Sequence, residues 1–413
     1  MTFTQNQPFQ SGSPLAGIRV LDLTQVLAGP YGTLLLADMG ADVIKIERPS
    51  TGDPARRVTP MIAAESIYFM TVNRNKRSLC LDLGHPDGRK IFYDLVQQSD
   101  VVIDNFRAGV TTRLKIDYET LCAINPQIIT CSISAFGQDG PYKDQPGFDL
   151  VVQGISGVMS VTGEPGRPPV RMGLPMGDLG GGLFAVMGIQ AALLERVRTG
   201  RGQALDISLL DGLMGMHTYL ASNYLATGQE VPPVGSAHHY LVPYQAFATA
   251  DAYLVVATFT DEFWVKLCQA MALEHLSHDP RFETNQLRTQ NRDELIPLLE
   301  TQFRKYPRDE WLERLKVAGV PCGPVNSVGE ALSDPQVQHR ELTTTISHPT
   351  AGSIELPRSP LKFQGDRPPA QPSPLMGQHT SEILTEVVGY SLEEIDDFLA
   401  RGIVAAASLA DNR

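Results

Sequence analysis

Asp178 stands in the run Gly177-Asp178-Leu179-Gly180-Gly181-Gly182, just ahead of an apolar stretch over residues 183–194. A carboxylate in this setting has two uses. It can cap the helix that the apolar stretch predicts, by accepting a backbone N–H. It can also be a covalent nucleophile, reached by a substrate because no side chains crowd it. Successive glycines weaken a helix by roughly 1 kcal/mol each relative to alanine. Close approach of a substrate or of another backbone would explain them, with the N–H groups near Gly180, Gly181 and Gly182 left open to stabilise an oxyanion. Local sequence alone favours the cap.

Other chemistry-bearing residues fall early in the chain. Lys45, Arg48, Arg56, Arg57, Arg74, Lys76 and Arg77 form a basic group within an acidic protein. Singly each reads as a solvated surface charge; together, beside strand ends, they could hold the phosphates of a nucleotide-like ligand. His238 and His239 are neighbours in an extended segment and point opposite ways, so at most one faces a pocket and no shared metal site is expected. The five cysteines are scattered without a CxxC pair, which fits a reducing cytoplasm and offers no metal spacing.

Several reaction classes are excluded. The turn from Thr24 to Gly32 lacks the G-x-G-x-x-G spacing of a dinucleotide site, although Glu47 sits where a ribose-binding acid would stand. No G-x-x-x-x-G-K-[ST], G-x-S-x-G or H-E-x-x-H occurs. Net charge is −12, from 34 basic and 46 acidic residues, which argues against nucleic acid or an anionic membrane as partner. No window is apolar for about 18 consecutive residues, so no membrane span is expected.

The elements that must position Asp178 follow from periodicity. Residues 18–23, 42–47, 78–83, 101–103 and 128–133 read as strands, with helices at 30–39, 87–99 and 118–124 between them. Such alternation predicts an α/β layer on a mostly parallel sheet, whose ligands sit beyond the carboxyl ends of the strands. That places residues 25–29, Glu47-Arg48 and Asn105-Phe106 at the expected site. Residues 206–226 read as one long helix. A Pro/Gly-rich linker at 228–235 precedes a hairpin at 243–258 and helices at 261–271, 292–305 and 308–318, a smaller α+β domain. The tail over 356–377 is Pro-rich and extended, followed by a helix near 380–387. The expected organisation is a disordered tail at 1–14, a large domain at 15–225, a small domain at 226–330, and a linker and tail at 331–413 returning to the large domain.

Read as a whole, the sequence resembles the class III CoA-transferases, the CaiB/BaiF family. The resemblance is carried by Val20-Leu21-Asp22-Leu23-Thr24, Ala28-Gly29-Pro30, the run from Gly40 to Glu47, Gly52-Asp53-Pro54 and Asn73-Arg74-Asn75-Lys76-Arg77-Ser78. Further along it is carried by Asn105-Phe106, Gly137-Gln138-Asp139-Gly140-Pro141, Thr199-Gly200-Arg201-Gly202-Gln203, Asp206 to Asp211, Val320 to Val325 and His348 to Gly352. It covers nearly the whole chain after Pro14. It implies a Rossmann-like large domain, an inserted small domain and an interlocked homodimer. It implies that Asp178 attacks an acyl-CoA thioester and carries CoA to a second acid, with the CoA thioester as substrate and no permanent cofactor.

Transferred residue by residue, the resemblance places CoA contacts at Val26, Ala28, Arg48, Leu81, Asn105, Phe106 and Arg113. The chain departs from formyl-CoA transferase in having Leu27 for a glutamine, Gly84 for a lysine, and no glycine-rich loop between Gly235 and Pro243. The related α-methylacyl-CoA racemases carry a catalytic His in a Gly-His-Asp segment; here it is Gly147-Phe148-Asp149, and phenylalanine transfers no proton. Residues 221–225 and 235–247 look like the succinyl-CoA:glutarate group, which implies a dicarboxylic acceptor with Arg171 or His238 on its distal carboxylate. A racemase, or a silent CoA-binding subunit, are the alternatives.

Overall fold

A computed structural model describes residues 13–363 and 370–407. The tail expected at 1–14 therefore falls almost wholly outside the described residues, as does part of the Pro-rich segment. The chain divides into two compact units. The first contains the chain up to Val158, Met172–Thr227 and the chain from Glu341; the second contains Met159–Arg171 and Gly228–Arg340. Residues 159–171 thus group with the second unit, although their position in sequence lies inside the first.

The first unit is built on a seven-stranded sheet: β1 (Arg19–Asp22), β2 (Asp42–Glu47), β3 (Arg77–Leu81), β4 (Val101–Asp104), β5 (Ile129–Ser134), β6 (Ala204–Ser208) and β7 (Val404–Ala405), in the spatial order β7-β3-β2-β1-β4-β5-β6. All neighbours are parallel except β7, which runs antiparallel to β3. Strand β2 is buried along its whole length, as expected of a parallel strand covered on both faces. Alternate residues serve two cores. Val20, Val43, Val101 and Ile103 pack with Leu35, Leu36, Ala185 and Ile189 on one face, while Leu21, Ile44, Ile46 and Val102 pack with Ile91, Phe92 and Leu95 on the other.

The helices that matter for the site are α1 (Ala28–Asp38), α2 (Ile67–Asn73), α3 (Pro86–Gln97), α4 (Asp149–Ile155) and α5 (Met176–Thr199). By length and composition α5 could cross a membrane, yet its Gly180, Gly181, Gly182, Ala185, Ile189 and Ala192 are buried in the first core. The order in which strands are added to the sheet reverses at β1, with β2 and β3 on one side and β4 to β6 on the other. That is a topological switch point, where an open α/β sheet has its crevice.

Residues 206–226 do not form one helix. Asp206 to Ser208 belong to β6, whose side chains alternate in burial beside β5. Ser208 then caps a helix over Leu209–Met216, and Thr218 at φ 46° separates it from another over Tyr219–Thr227. A hairpin over Thr343–His348 and Gly352–Pro357 and the short β7 also escape the periodicity reading. The returning C-terminal segment is tied to β3: Gly377 donates its N–H to Ser78 Oγ at 2.9 Å, and His379 donates to the Ser78 carbonyl at 3.0 Å.

The second unit has a three-stranded antiparallel sheet, Tyr244–Ala248, Tyr253–Ala257 and Cys322–Pro324. Helices over Asp261–Ala270, Arg292–Phe303 and Arg308–Val317 cover it, around Trp264, Phe247, Phe303 and Trp311.

Candidate active site

Asp178 lies in the first turn of α5 but does not cap it. The N-cap residue is Pro175, which offers no side-chain acceptor. The cap comes from another helix: Asp149, the first residue of α4, accepts the N–H of Gly177 at 2.8 Å and of Asp178 at 3.3 Å on its Oδ1. Its Oδ2 accepts Gln153 Nε2 at 2.6 Å, and Gln153 Oε1 in turn accepts the Met172 N–H at 2.9 Å. With the first-turn N–H groups already bonded, the Asp178 carboxyl is left free of helix duty. Burial, and then the negative charge of Asp149, push its pKa up to about 7. A carboxylate held in this way is destabilised as an anion and correspondingly more basic and more nucleophilic.

Tyr68, in the first turn of α2, is a member of this group that sequence reading missed. Burial raises its pKa to about 12, with Asp178, Asp53 and Asp149 adding to the effect. It stays a phenol, a hydrogen-bond donor among carboxylates. No motif spacing points to it; its neighbours in space come from separate segments.

Of the uses expected for the glycines beside Asp178, close approach of another backbone is present and open N–H donors are not. Leu179 already donates its N–H to the Pro175 carbonyl at 3.0 Å, and the N–H groups of Gly180, Gly181 and Gly182 continue the helical ladder. They are not open oxyanion donors. A Cβ on Gly182 would stand 2.7 Å from the Ala28 carbonyl oxygen, one on Gly181 2.4 Å from Leu209, and one on Gly180 2.6 Å from Met216. Gly182 lets α1 and α5 touch backbone to backbone, while Gly181 and Gly180 make room for the side chains of Leu209 and Met216.

A cleft of about 390 Å³ opens at the carboxyl ends of the parallel strands. Leu23 and Gln25 follow β1, Arg48 follows β2, Leu81 ends β3 and Phe106 follows β4; Arg57 and Arg113 add two more guanidinium groups. The structure thus brings Arg48, Leu81, Phe106 and Arg113 together. Val26 follows Gln25 in the loop and Ala28 is the first residue of α1; neither is among the residues that line the cleft. Asn105 is spent on that loop: its Oδ1 accepts the Gln25 N–H at 2.8 Å and its Nδ2 donates to the Gln25 carbonyl at 2.7 Å.

Most of the early basic group does not reach this cleft. Lys45 is fully buried 2.9 Å from Asp53, and Lys76 is fully buried 3.0 Å from Asp22. Arg56 pairs with Glu47, Arg74 with Asp38, and Arg77 with Asp42 and Glu382. Buried cations require partners, so these serve the fold, and Arg48 and Arg57 alone of that group line the cleft.

Phe148 precedes α4 and is 72% exposed, with no group able to move a proton. Arg171 and His238 belong to the second unit. His238 Nδ1 accepts the Tyr240 N–H at 3.0 Å and its ring lies 5.4 Å from that of Tyr244. Burial, aided by His239 and Arg292, lowers its pKa, so it is neutral near pH 7.

The chain is similar to known proteins. The profile of CoA-transferase family III matches residues 15–380. Succinyl-CoA:glutarate CoA-transferase of Mus musculus is 40% identical over 95% of this chain and 91% of its own length. Acetyl-CoA:oxalate CoA-transferase of Acetobacter aceti is 39% identical over 89% of this chain and 94% of its own. The crystal structure of a CaiB/BaiF family protein from Brucella suis superposes with a TM-score of 0.81 at 38% identity, covering 91% of this chain and 99% of that one. Family profile and overall fold are those of a CoA-transferase. The chain belongs to CoA-transferase family III.

Proposed function

We propose that this enzyme moves CoA from an acyl-CoA, succinyl-CoA foremost, to a dicarboxylic acid, with Asp178 as the covalent carrier. The Asp178 carboxylate attacks the thioester carbonyl, the C–S bond breaks, and a mixed anhydride and CoA thiolate result. The thiolate attacks the aspartyl carbonyl and expels the donor acid, leaving an aspartyl-CoA thioester. The acceptor carboxylate displaces the thiolate through a second anhydride. Attack of the thiolate on the acceptor carbonyl then restores Asp178 as a carboxylate. Each thioester is exchanged for another, so no nucleotide cleavage is required.

The observation that carries this reading is the release of Asp178 from capping by Asp149, in a site that raises its basicity. Tyr68, kept protonated, is the donor assigned to the developing oxyanion. Arg48, Arg57 and Arg113 suit the phosphates of CoA, and Leu81 and Phe106 offer apolar surface for the adenine end. A dicarboxylate acceptor is supported by relatives named for glutarate, oxalate and mesaconate. A homodimer in the cytoplasm belongs to the same reading. Leu183, Met187, Leu194 and Val197 form an exposed apolar stripe along α5 that suits a subunit contact. A matrix of acyl-CoA donors and acids, with CoA products identified by mass spectrometry, tests the proposal. Transfer to dicarboxylates supports it; activity confined to monocarboxylates refutes the acceptor class.

A further inference from the structure

In the loop between β1 and α1, side chains hold both backbone groups of Thr24 and of Gln25 and the N–H of Val26. Asp22 accepts the Thr24 N–H at 2.9 Å, Lys45 Nζ donates to the Thr24 carbonyl at 2.8 Å, and Asn105 takes both sides of Gln25. Val26 follows at φ 66°. A β-branched residue in the left-handed region is a genuine outlier, costing on the order of 1–3 kcal/mol. It persists only where its surroundings over-determine it.

Asp53 supplies that determination. Its Oδ1 accepts the Val26 N–H at 3.1 Å and the Ala55 N–H at 2.8 Å, and its Oδ2 lies 2.9 Å from Lys45 Nζ, with both side chains wholly buried. Asp53 is itself anchored, donating its backbone N–H to Glu47 Oε2 at 2.9 Å. One buried carboxylate therefore joins the end of β2 to the strained residue beside Gln25, which lines the cleft.

We infer that Asp53 is a positioning residue for acyl-CoA: by holding Val26 left-handed it fixes the register of residues 25–28 against the ligand. Asp53 need not touch CoA to do this. The inference rests on the cleft being the CoA site.

Substitution of Asp53 alone would strand Lys45 as a buried charge, so the test uses neutralised pairs. Lys45→Met with Asp53→Asn removes both charges but keeps an acceptor oxygen for Val26. Lys45→Met with Asp53→Ala removes the acceptor as well. Affinity for CoA is read by isothermal titration calorimetry, and folding by thermal unfolding. The first pair is expected to bind within about threefold of wild type and the second about tenfold or more weakly, as loss of the restraint on Val26 implies. Adding Val26→Gly to the second pair removes the Cβ penalty and should recover most of the loss. KM for acyl-CoA should follow these changes while KM for the acceptor acid stays put. Val26→Pro, which locks φ near −65° with Asp53 and Lys45 intact, should weaken CoA binding comparably. Equal CoA affinity in the two pairs, no rescue by Val26→Gly, or normal binding by Val26→Pro would each overturn the inference. Failure of the wild-type protein to bind CoA would instead count against the assignment of the cleft.

Discussion

Asp149 Oδ1 accepts the backbone N–H of Asp178 at 3.3 Å and of Gly177 at 2.8 Å, so one carboxylate holds the backbone that carries another. The contact positions Asp178 and also opposes its ionisation, because the two negative charges are close. The same residue therefore orients the proposed nucleophile and, after burial, adds to its basicity.

Asp149→Asn separates these effects. The amide keeps an oxygen for the two N–H groups but drops the charge, so the Asp178 pKa falls from about 7. The acid limb of kcat/KM for acyl-CoA should move down by about half a unit to one unit, since one nearby charge is worth of that order. An unchanged limb would contradict the coupling. Asp149→Ala removes the cap as well and should lower stability by about 1 kcal/mol, read by denaturant unfolding.

The raised pKa of Asp178 has a stability consequence of definite sign. In the unfolded chain the carboxyl ionises near its ordinary value of 3.8, whereas in the folded protein it ionises near 7. Stability from this group is thus complete below pH 4, declines as pH rises, and stays low above pH 7. Asp178→Asn removes the penalty. Its melting temperature should exceed that of wild type by a few degrees at pH 8 and converge with it near pH 4, for an effect of about 2–4 kcal/mol.

Gly182→Ala tests the helix contact. The new Cβ would meet the Ala28 carbonyl oxygen at 2.7 Å and the Gly32 nitrogen at 3.2 Å, both backbone atoms that cannot turn aside. Overpacking of this kind costs about 1–3 kcal/mol. Thermal unfolding should report the loss, and CoA affinity should drop too because α1 follows the loop whose Gln25 lines the cleft.

Arg48 and Arg113 are exposed at the cleft. Replacing either by Ala should weaken CoA binding by roughly tenfold, as for one charge-assisted hydrogen bond, and should flatten its salt dependence. Dephospho-CoA binding by each variant identifies which arginine meets the ribose phosphate.

The parallel sheet was legible in the sequence because short β-prone runs such as residues 42–47 and 101–103 alternate with helical patterns. Where the reading failed, local pattern and tertiary context disagreed. Asp206 to Ser208 look helical beside the Leu/Met-rich stretch that follows, and only pairing with β5 makes them a strand. Asp178 stood out by composition, but its relation to Asp149 spans two helices and leaves no spacing signal. Lys45 and Lys76 read as surface charges because their partners, Asp53 and Asp22, become neighbours only in the fold. Close approach was expected at the glycines, by a substrate or by another backbone, and at Gly182 it is the backbone of α1 that approaches.

The central claim is that Asp178 becomes covalently attached to CoA during turnover. Wild-type enzyme incubated with succinyl-CoA, quenched and digested, should yield the peptide containing Asp178 carrying the mass of CoA. Treatment with hydroxylamine should convert that residue to the hydroxamate, and Asp178→Ala should show neither adduct nor transfer. Undiminished CoA transfer by Asp178→Ala, or turnover with no adduct at this residue, would contradict the account.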